Sequence, residues 1–246
     1  MKTAIKNVLK YTPYRIVRRI DLNRFHAVDA CLSLLKCLEF CPKVIIDGGA
    51  HLGQFAIEAA GIFVDPKIYL IEPQPSCLPY LKLLSKERKF TLLPYFLGSE
   101  VEVNKGTVLL AVDDVPTTGA HMVEESDVGA KVAVVPATTL DRLFEEKFSA
   151  ADRTLLKLDL QGYELSALRG ATRLLEVIEV ILTEVSFFAQ AYEPPIAQLI
   201  GFLDTHGFDL FDIASISSRR RDNRARQGDF VFVKRGSALL GDTRWG

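Results

Sequence analysis

The residues of this chain best suited to chemistry are acids set at the ends of apolar runs. Val44-Ile45-Ile46 leads into Asp47, and then into Gly48-Gly49-Ala50-His51-Leu52-Gly53-Gln54-Phe55. Glycines at such a turn let the backbone approach a ligand where a Cβ would clash. A second apolar run, Ile68-Tyr69-Leu70-Ile71, ends in Glu72 and Pro73. Acid, glycine turn, helix, strand and acid, in that order, is the layout of a nucleoside-binding α/β site, with the second acid placed to accept ribose hydroxyls. Phe96, Leu97 and Gly98 close a third run. They are placed either to wall a nucleobase or to be ordinary core.

A second constellation is Lys157-Leu158-Asp159-Leu160-Gln161-Gly162-Tyr163-Glu164. Lys157 and Asp159 are two apart on a strand and so share a face. Asp159 falls at the carboxyl edge, where open α/β sheets bind ligands. Glu164 falls in the first turn of the following helix, where complementing the helix dipole, worth about 0.3–1 kcal/mol, competes with a ligand role. Lys157 suits a salt bridge to a buried acid as well as it suits substrate contact. Glu184 ends the next strand, so Asp159 and Glu184 could share a divalent ion. Two acids alone are a weak signal, and no metal is expected.

The elements that must hold these groups alternate. Strands are expected at 43–47, 67–72, 90–97, 154–159, 178–185, 208–213 and 229–235. Helices are expected at about 52–61, from Ser76 as N-cap to 86, 140–148, 163–175 and 195–206, the last ended by Gly207. The segment 100–137 breaks the rhythm and reads as an inserted β-hairpin with a mobile tip near 116–129. Strand–helix alternation implies a parallel sheet covered on both faces. The last two strands lack a helix between them and should pair antiparallel. That makes a seven-strand α/β sheet with a reversed last strand, the class I methyltransferase architecture. A helical extension over 1–41 precedes this domain at 42–246.

The hairpin between those last strands carries Arg219, Arg220, Arg221, Arg224 and Arg226. It leaves the carboxyl end of a parallel strand, so it belongs on the ligand side. Arginines there suit an acceptor bearing phosphate or carboxylate, or else form a solvated loop.

Composition sets outer bounds. A chain of 246 residues buries one sizeable core. Its formal net charge of −1 gives no reason to expect nucleic acid. The 4 cysteines lack CxxC spacing, which points to a reduced cytoplasmic compartment rather than a disulfide framework. Lys2, Lys6 and Lys10 share a helical face near the start. Such a helix either packs solvated on the domain or lies peripherally on an anionic membrane.

Four segments together resemble the FkbM family of S-adenosylmethionine (SAM)-dependent methyltransferases. They are Asp47 to Phe55; Glu72-Pro73; Lys157 to Glu164 with Leu168-Arg169-Gly170-Ala171 behind it; and Gln227-Gly228-Asp229-Phe230-Val231-Phe232-Val233. The resemblance covers about 40–235 and implies O-methylation of a sugar, glycolipid or polyketide-like hydroxyl. His51 departs from it, standing where many relatives carry Asn. Under this reading Asp47, Gly48, Gly49, His51 and Gly53 bind the methionyl part of SAM. Glu72 and Pro73 take the ribose, and Phe96, Leu97 and Gly98 the adenine. Asp159 touches the cofactor and is the general base or orients the acceptor hydroxyl, with His51 and Glu184 as substitutes. Lys157, Gln161, Glu164, Arg219 and Arg221 face the acceptor. A non-catalytic SAM-binding or membrane-peripheral module is the alternative. An NAD(P)-dependent oxidoreductase fits less well, because Ala50 stands where the second glycine of G-x-G-x-x-G belongs and no Tyr-x-x-x-Lys pair occurs. The acceptor's identity and the oligomeric state are not readable from these residues.

Overall fold

The computed structural model describes residues 28–117, 120–123, 129–145, 147–189, 194–242 and 244. The expectations for Lys2, Lys6 and Lys10, and for half of the hairpin tip, lie outside these residues. The described chain opens with helix α1 (Val28–Cys37). Strand β1 (Val44–Gly48), helix α2 (Gln54–Ile62), strand β2 (Lys67–Ile71), helix α3 (Leu78–Arg88) and strand β3 (Thr91–Leu93) follow. Then come β4 (Phe96–Leu97), β5 (Thr107–Ala111), β6 (His121–Met122), β7 (Val132–Thr138) and α4 (Leu140–Phe144). The last part holds β8 (Thr154–Leu158), α5 (Glu164–Arg169), β9 (Ile178–Ser186), α6 (Ile196–Thr205), β10 (Phe208–Ser218) and β11 (Ala225–Lys234).

The main sheet runs β10-β11-β9-β8-β1-β2-β3. The pairs from β9 through β8, β1 and β2 to β3 are parallel, because each connection crosses over through intervening chain. Strand β11 is antiparallel to both neighbours, since only a short turn joins it to β10. This is the expected sheet, reversed last strand included.

Strand alternation sorts the core into two layers. Val44, Ile46, Leu156, Leu158, Phe230 and Phe232 face one way, onto Leu140, Leu168 and Leu199 of α4, α5 and α6. Ile45, Leu155, Val180, Leu182, Val231 and Val233 face the other, toward Leu32, Ala56 and Leu81 of α1, α2 and α3. Ile45 and Ile46 have no solvent exposure. Burying side chains of that size stabilises by about 1.5–3 kcal/mol each, which fixes the register of β1 and hence the position of Asp47.

Four elements differ from expectation. The run 90–97 splits at Pro94, which has no N–H for a ladder, and Tyr95 N–H turns back onto the Leu93 carbonyl at 2.9 Å. Strand β4 therefore leaves the main sheet and pairs in parallel with β7, in a second sheet ordered β4-β7-β5-β6. The helix expected over 163–175 stops at Arg169, and only a 3-10 turn at Leu174–Glu176 continues it. A Cβ on Gly170 would stand 2.3 Å from the Gly98 carbonyl, and Asp141 takes the Arg173 and Leu174 N–H groups at 3.1 and 2.8 Å. Ser76 does not cap α3; its hydroxyl donates to Gln74 Oε1 at 2.8 Å. Thr139 does cap α4, accepting from Arg142 N–H at 3.1 Å, although that helix ends at Phe144 rather than 148.

Candidate active site

The glycine turn after β1 sits at the carboxyl edge of the main sheet, between β2 and β8. Gly49 has φ +74°, and a Cβ there would lie 1.8 Å from the Asp159 carbonyl oxygen. Only glycine lets the β1 and β8 loops come this close. His51 and Gln161, one from each loop, also hold positive φ, 49° and 53°. Such conformations are uncommon outside glycine and cluster at functional sites.

These loops bound a cleft at the carboxyl edge of the sheet. Gly49, His51, Glu72 and Pro73 form one side, and Phe96, Leu97 and Tyr163 another. Asp159 and Gln161 stand at its β8 edge. Glu72 is buried, its Oε2 accepting His51 N–H at 2.8 Å and its Oε1 accepting Gln74 N–H at 2.9 Å. Each oxygen keeps a further lone pair, the arrangement a vicinal diol needs. Burial pushes the Glu72 carboxyl up, against the pull of those two amides. Phe96 stacks edge-on against Tyr163, with centroids 5.3 Å apart.

Asp47 is placed otherwise than expected. It has no exposure, and neither carboxylate oxygen has a hydrogen-bond partner of good geometry among the described residues. Lys157 Nζ approaches its Oδ1 at 3.1 Å and also donates to the Gly49 carbonyl at 2.8 Å and the Gly48 carbonyl at 3.3 Å. Asp47 lies on the face of Ile45, beneath the turn, lines neither the cleft nor the cavity behind the turn, and is tied to the turn through Lys157. Burial opposes the lysine's charge, but Asp47, Asp159 and Glu72 together outweigh it and hold Lys157 above the ordinary lysine range. Gly48 and Gly53 are likewise structural, and Gly53 at φ +84° packs against Leu84. Gly98 lies against Gly170 rather than in the cleft.

Gly49, His51 and Asp159 also line a second cavity of about 750 Å³, together with Gln54, Phe55, Glu58, Lys157, Leu182 and Asp229. The buried His51 Nε2 has no hydrogen-bond partner among the described residues, and Gln161 Nε2 donates to Asp159 Oδ1 at 2.8 Å.

Asp159, Glu164 and Glu184 bring carboxylate oxygens within 4.8 Å of one another. Three carboxylates so placed are a donor set for a divalent cation or a group that retains protons. Burial pushes Glu184 up to about 8, helped by the charges of Asp159, Glu164 and Asp229. Glu164 is raised to about 7, again chiefly by burial, although the N–H groups of Leu160 (2.6 Å) and Gly162 (3.1 Å) pull it down. Glu164 thus folds back onto its own loop, and the cleft's lining does not include it.

The arginine hairpin lines neither cavity. Arg219 and Arg221 both pair with Asp222, and Arg219 and Arg224 lie over the Phe188 ring, at 5.7 and 4.7 Å from its centre. Residues missed from sequence are Gln74, Tyr95, Leu110, Thr117 and Ala120 in the cleft and Asp229 in the second cavity. Asp229 left one signal: it is the acid that begins the alternation continued by Val231 and Val233.

A doubly wound sheet in this order, with an acid-ended β2 beside a glycine turn, defines the class I SAM-dependent methyltransferase fold. The chain belongs to the FkbM methyltransferase family: residues 47–210 match the Methyltransferase FkbM domain. It is therefore a methyltransferase, with SAM as methyl donor. Among solved structures it is similar to the methyltransferase FkbM of Methylobacillus flagellatus KT, at 16% identity and a TM-score of 0.46, over 77% of this chain and 43% of that one. The chain thus spans less than half of that protein's length. It is also similar to magnesium protoporphyrin IX methyltransferase from Synechocystis PCC 6803, at 11% identity and a TM-score of 0.46, over 95% and 96% of the two chains. A third is precorrin-6y C5,15-methyltransferase from Geobacter metallireducens GS-15, at 15% identity and a TM-score of 0.43, over 84% and 86%. No curated protein matches the chain.

Proposed function

We propose that this protein methylates a hydroxyl oxygen of a small or glycosidic acceptor, such as a sugar, glycolipid or polyketide-like alcohol. One observation carries the reading: Asp159 lines both cavities, so a single carboxylate faces the cofactor cleft and the space behind the glycine turn.

SAM, when bound, supplies a methyl group already activated on a sulfonium, so much of the protein's contribution is positioning in a dry site. Glu72 holds the ribose diol, while Pro73, Phe96, Leu97 and Tyr163 enclose the adenine. Gly49 and His51 border the methionyl part. An aliphatic hydroxyl is a poor nucleophile at neutral pH, so Asp159 accepts or orients its proton, itself steadied by Gln161. The partnerless His51 Nε2 is the nearest substitute acceptor for that proton. Glu184, its carboxyl raised to about 8 chiefly by burial, stands behind Asp159 as a further substitute base.

The acceptor is neutral near its reacting atom. Among the described residues, Glu58, Asp159 and Asp229 border the second cavity, and the one lysine there, Lys157, is already engaged by Asp47. The arginine hairpin lends no support to an acidic acceptor.

Thermal scans with SAM, S-adenosylhomocysteine (SAH), NAD and NADP test the cofactor half: stabilisation by the first two alone is expected. A panel of neutral glycosides and polyketide alcohols, read by SAH formation and by the O-methyl signal of the product, tests the acceptor half. SAM binding without turnover across the panel would favour a non-catalytic module.

A further inference from the structure

The described part of the insertion contacts the cofactor cleft at Leu110, Thr117 and Ala120. One side chain of the main domain fastens it there. Gln74, only 3% exposed, donates from Nε2 to the Thr117 carbonyl at 2.8 Å and accepts Thr117 N–H on Oε1 at 3.1 Å. The side-chain amide thus pairs with Thr117 as a neighbouring strand's peptide unit would. Its orientation is fixed, because Thr117 N–H must meet oxygen and the Thr117 carbonyl must meet nitrogen. Ser76 Oγ donates to the same Oε1 at 2.8 Å, and Thr117 Oγ1 donates to Asp113 Oδ2 at 3.0 Å.

The other end of Gln74 reaches the ribose acid, since its backbone N–H donates to Glu72 Oε1. One residue therefore ties the carboxylate that meets the nucleoside to the chain that roofs it. The roof has further ground: Phe96, on the opposite wall, shares a core with Val108, Leu110 and Val135 of the insertion.

We propose that Gln74 is a positioning residue for cofactor binding, which acts by latching the insertion at Thr117 over the nucleoside. This rests on the reading of the cleft as the SAM site. The nucleoside fills the space between Glu72 and Thr117, and its presence and the latch stabilise each other. Gln74 itself makes no chemical step.

Calorimetric titration with SAH, together with amide-hydrogen exchange over residues 107–117, tests this. In the wild-type protein SAH binds and slows exchange over 107–117. Gln74→Leu removes both latch bonds and weakens SAH binding by up to roughly 30-fold, as the loss of two net bonds of about 1 kcal/mol each predicts. It also abolishes the SAH-dependent protection and, because both bonds form without ligand, lowers the ligand-free melting temperature by a few degrees while the protein still folds. Thr117→Pro, on the loop side, removes one of the two bonds without touching the core, and weakens binding by a smaller factor. A wild-type protein that does not bind SAH overturns the site assignment. One that binds SAH with exchange over 107–117 unchanged overturns the latch, whatever the variants do. Wild-type affinity in either folded variant overturns it too.

Discussion

Lys157 Nζ lies 3.1 Å from Asp47 Oδ1 beneath the glycine turn, and the same ammonium holds the carbonyls of Gly48 and Gly49. Removing it strands a fully buried carboxylate. Lys157→Met should destabilise the protein by about 3–5 kcal/mol, the usual cost of breaking a buried pair by removing one partner. Burial already raises the Asp47 carboxyl, and without the lysine it rises further, so the loss deepens as pH increases through that higher value. Urea denaturation checks this, and Asp47→Leu combined with Lys157→Met should recover part of the deficit. A single-variant loss below about 1 kcal/mol would show that the pair is not buried as described.

Glu72 accepts one amide on each carboxylate oxygen, which leaves a lone pair on each for the ribose of the proposed cofactor site. Glu72→Gln should weaken SAH binding about 10- to 100-fold, the equivalent of a charged hydrogen bond of about 1.5–3 kcal/mol. Calorimetry reads it directly. Unaltered affinity would remove Glu72 from the cofactor site.

Asp159→Asn keeps the shape of the shared wall but cannot take a proton. Turnover should fall by about 10²- to 10⁴-fold, the range for loss of a general base, while SAM affinity stays within a few-fold. Initial rates at saturating SAM, paired with calorimetry, separate the two effects. If turnover is unchanged, Asp159 has no part in the reaction and His51 is the next residue to replace.

Glu184 titrates near 8 when folded and near the ordinary glutamate value when unfolded. Between those values the folded state holds the extra proton. Its contribution to stability is therefore greatest below about 4.5 and declines as pH rises toward 8. Glu184→Gln has no charge to bury, so it should be more stable than wild type at pH 9, by a margin on the order of 1 kcal/mol or more. At pH 4 the two should be nearly equal. Parallel melting curves from pH 4 to 9 provide the check, and a constant offset across that range would contradict it.

The sheet was legible because apolar runs with acids at their ends mark both the strands and their ligand edge, and the absent helix between β10 and β11 marks the reversal. The split at Pro94 was not, because Phe90 to Leu97 is largely apolar and reads as one strand. Nor was the early end of α5, where Leu168, Ala171 and Leu175 keep helical spacing across a glycine that must clear the Gly98 carbonyl. In the site, Glu72, Asp159, His51 and Gln161 were readable from their places beside turns. Asp47 was readable as an acid but not as a buried one, since burial depends on what packs above it. Gln74 and Thr117 are 43 residues apart and join through one side-chain amide, a contact that leaves no periodic trace.

The break at Pro94 has a mechanical result. Ile71 ends a strand of the main sheet, while Phe96 belongs to the second sheet and packs with Val108 and Val135 there. The two walls of the cleft therefore rest on different cores, so replacing Val108 or Val135, neither of which lines the cleft, should alter its width.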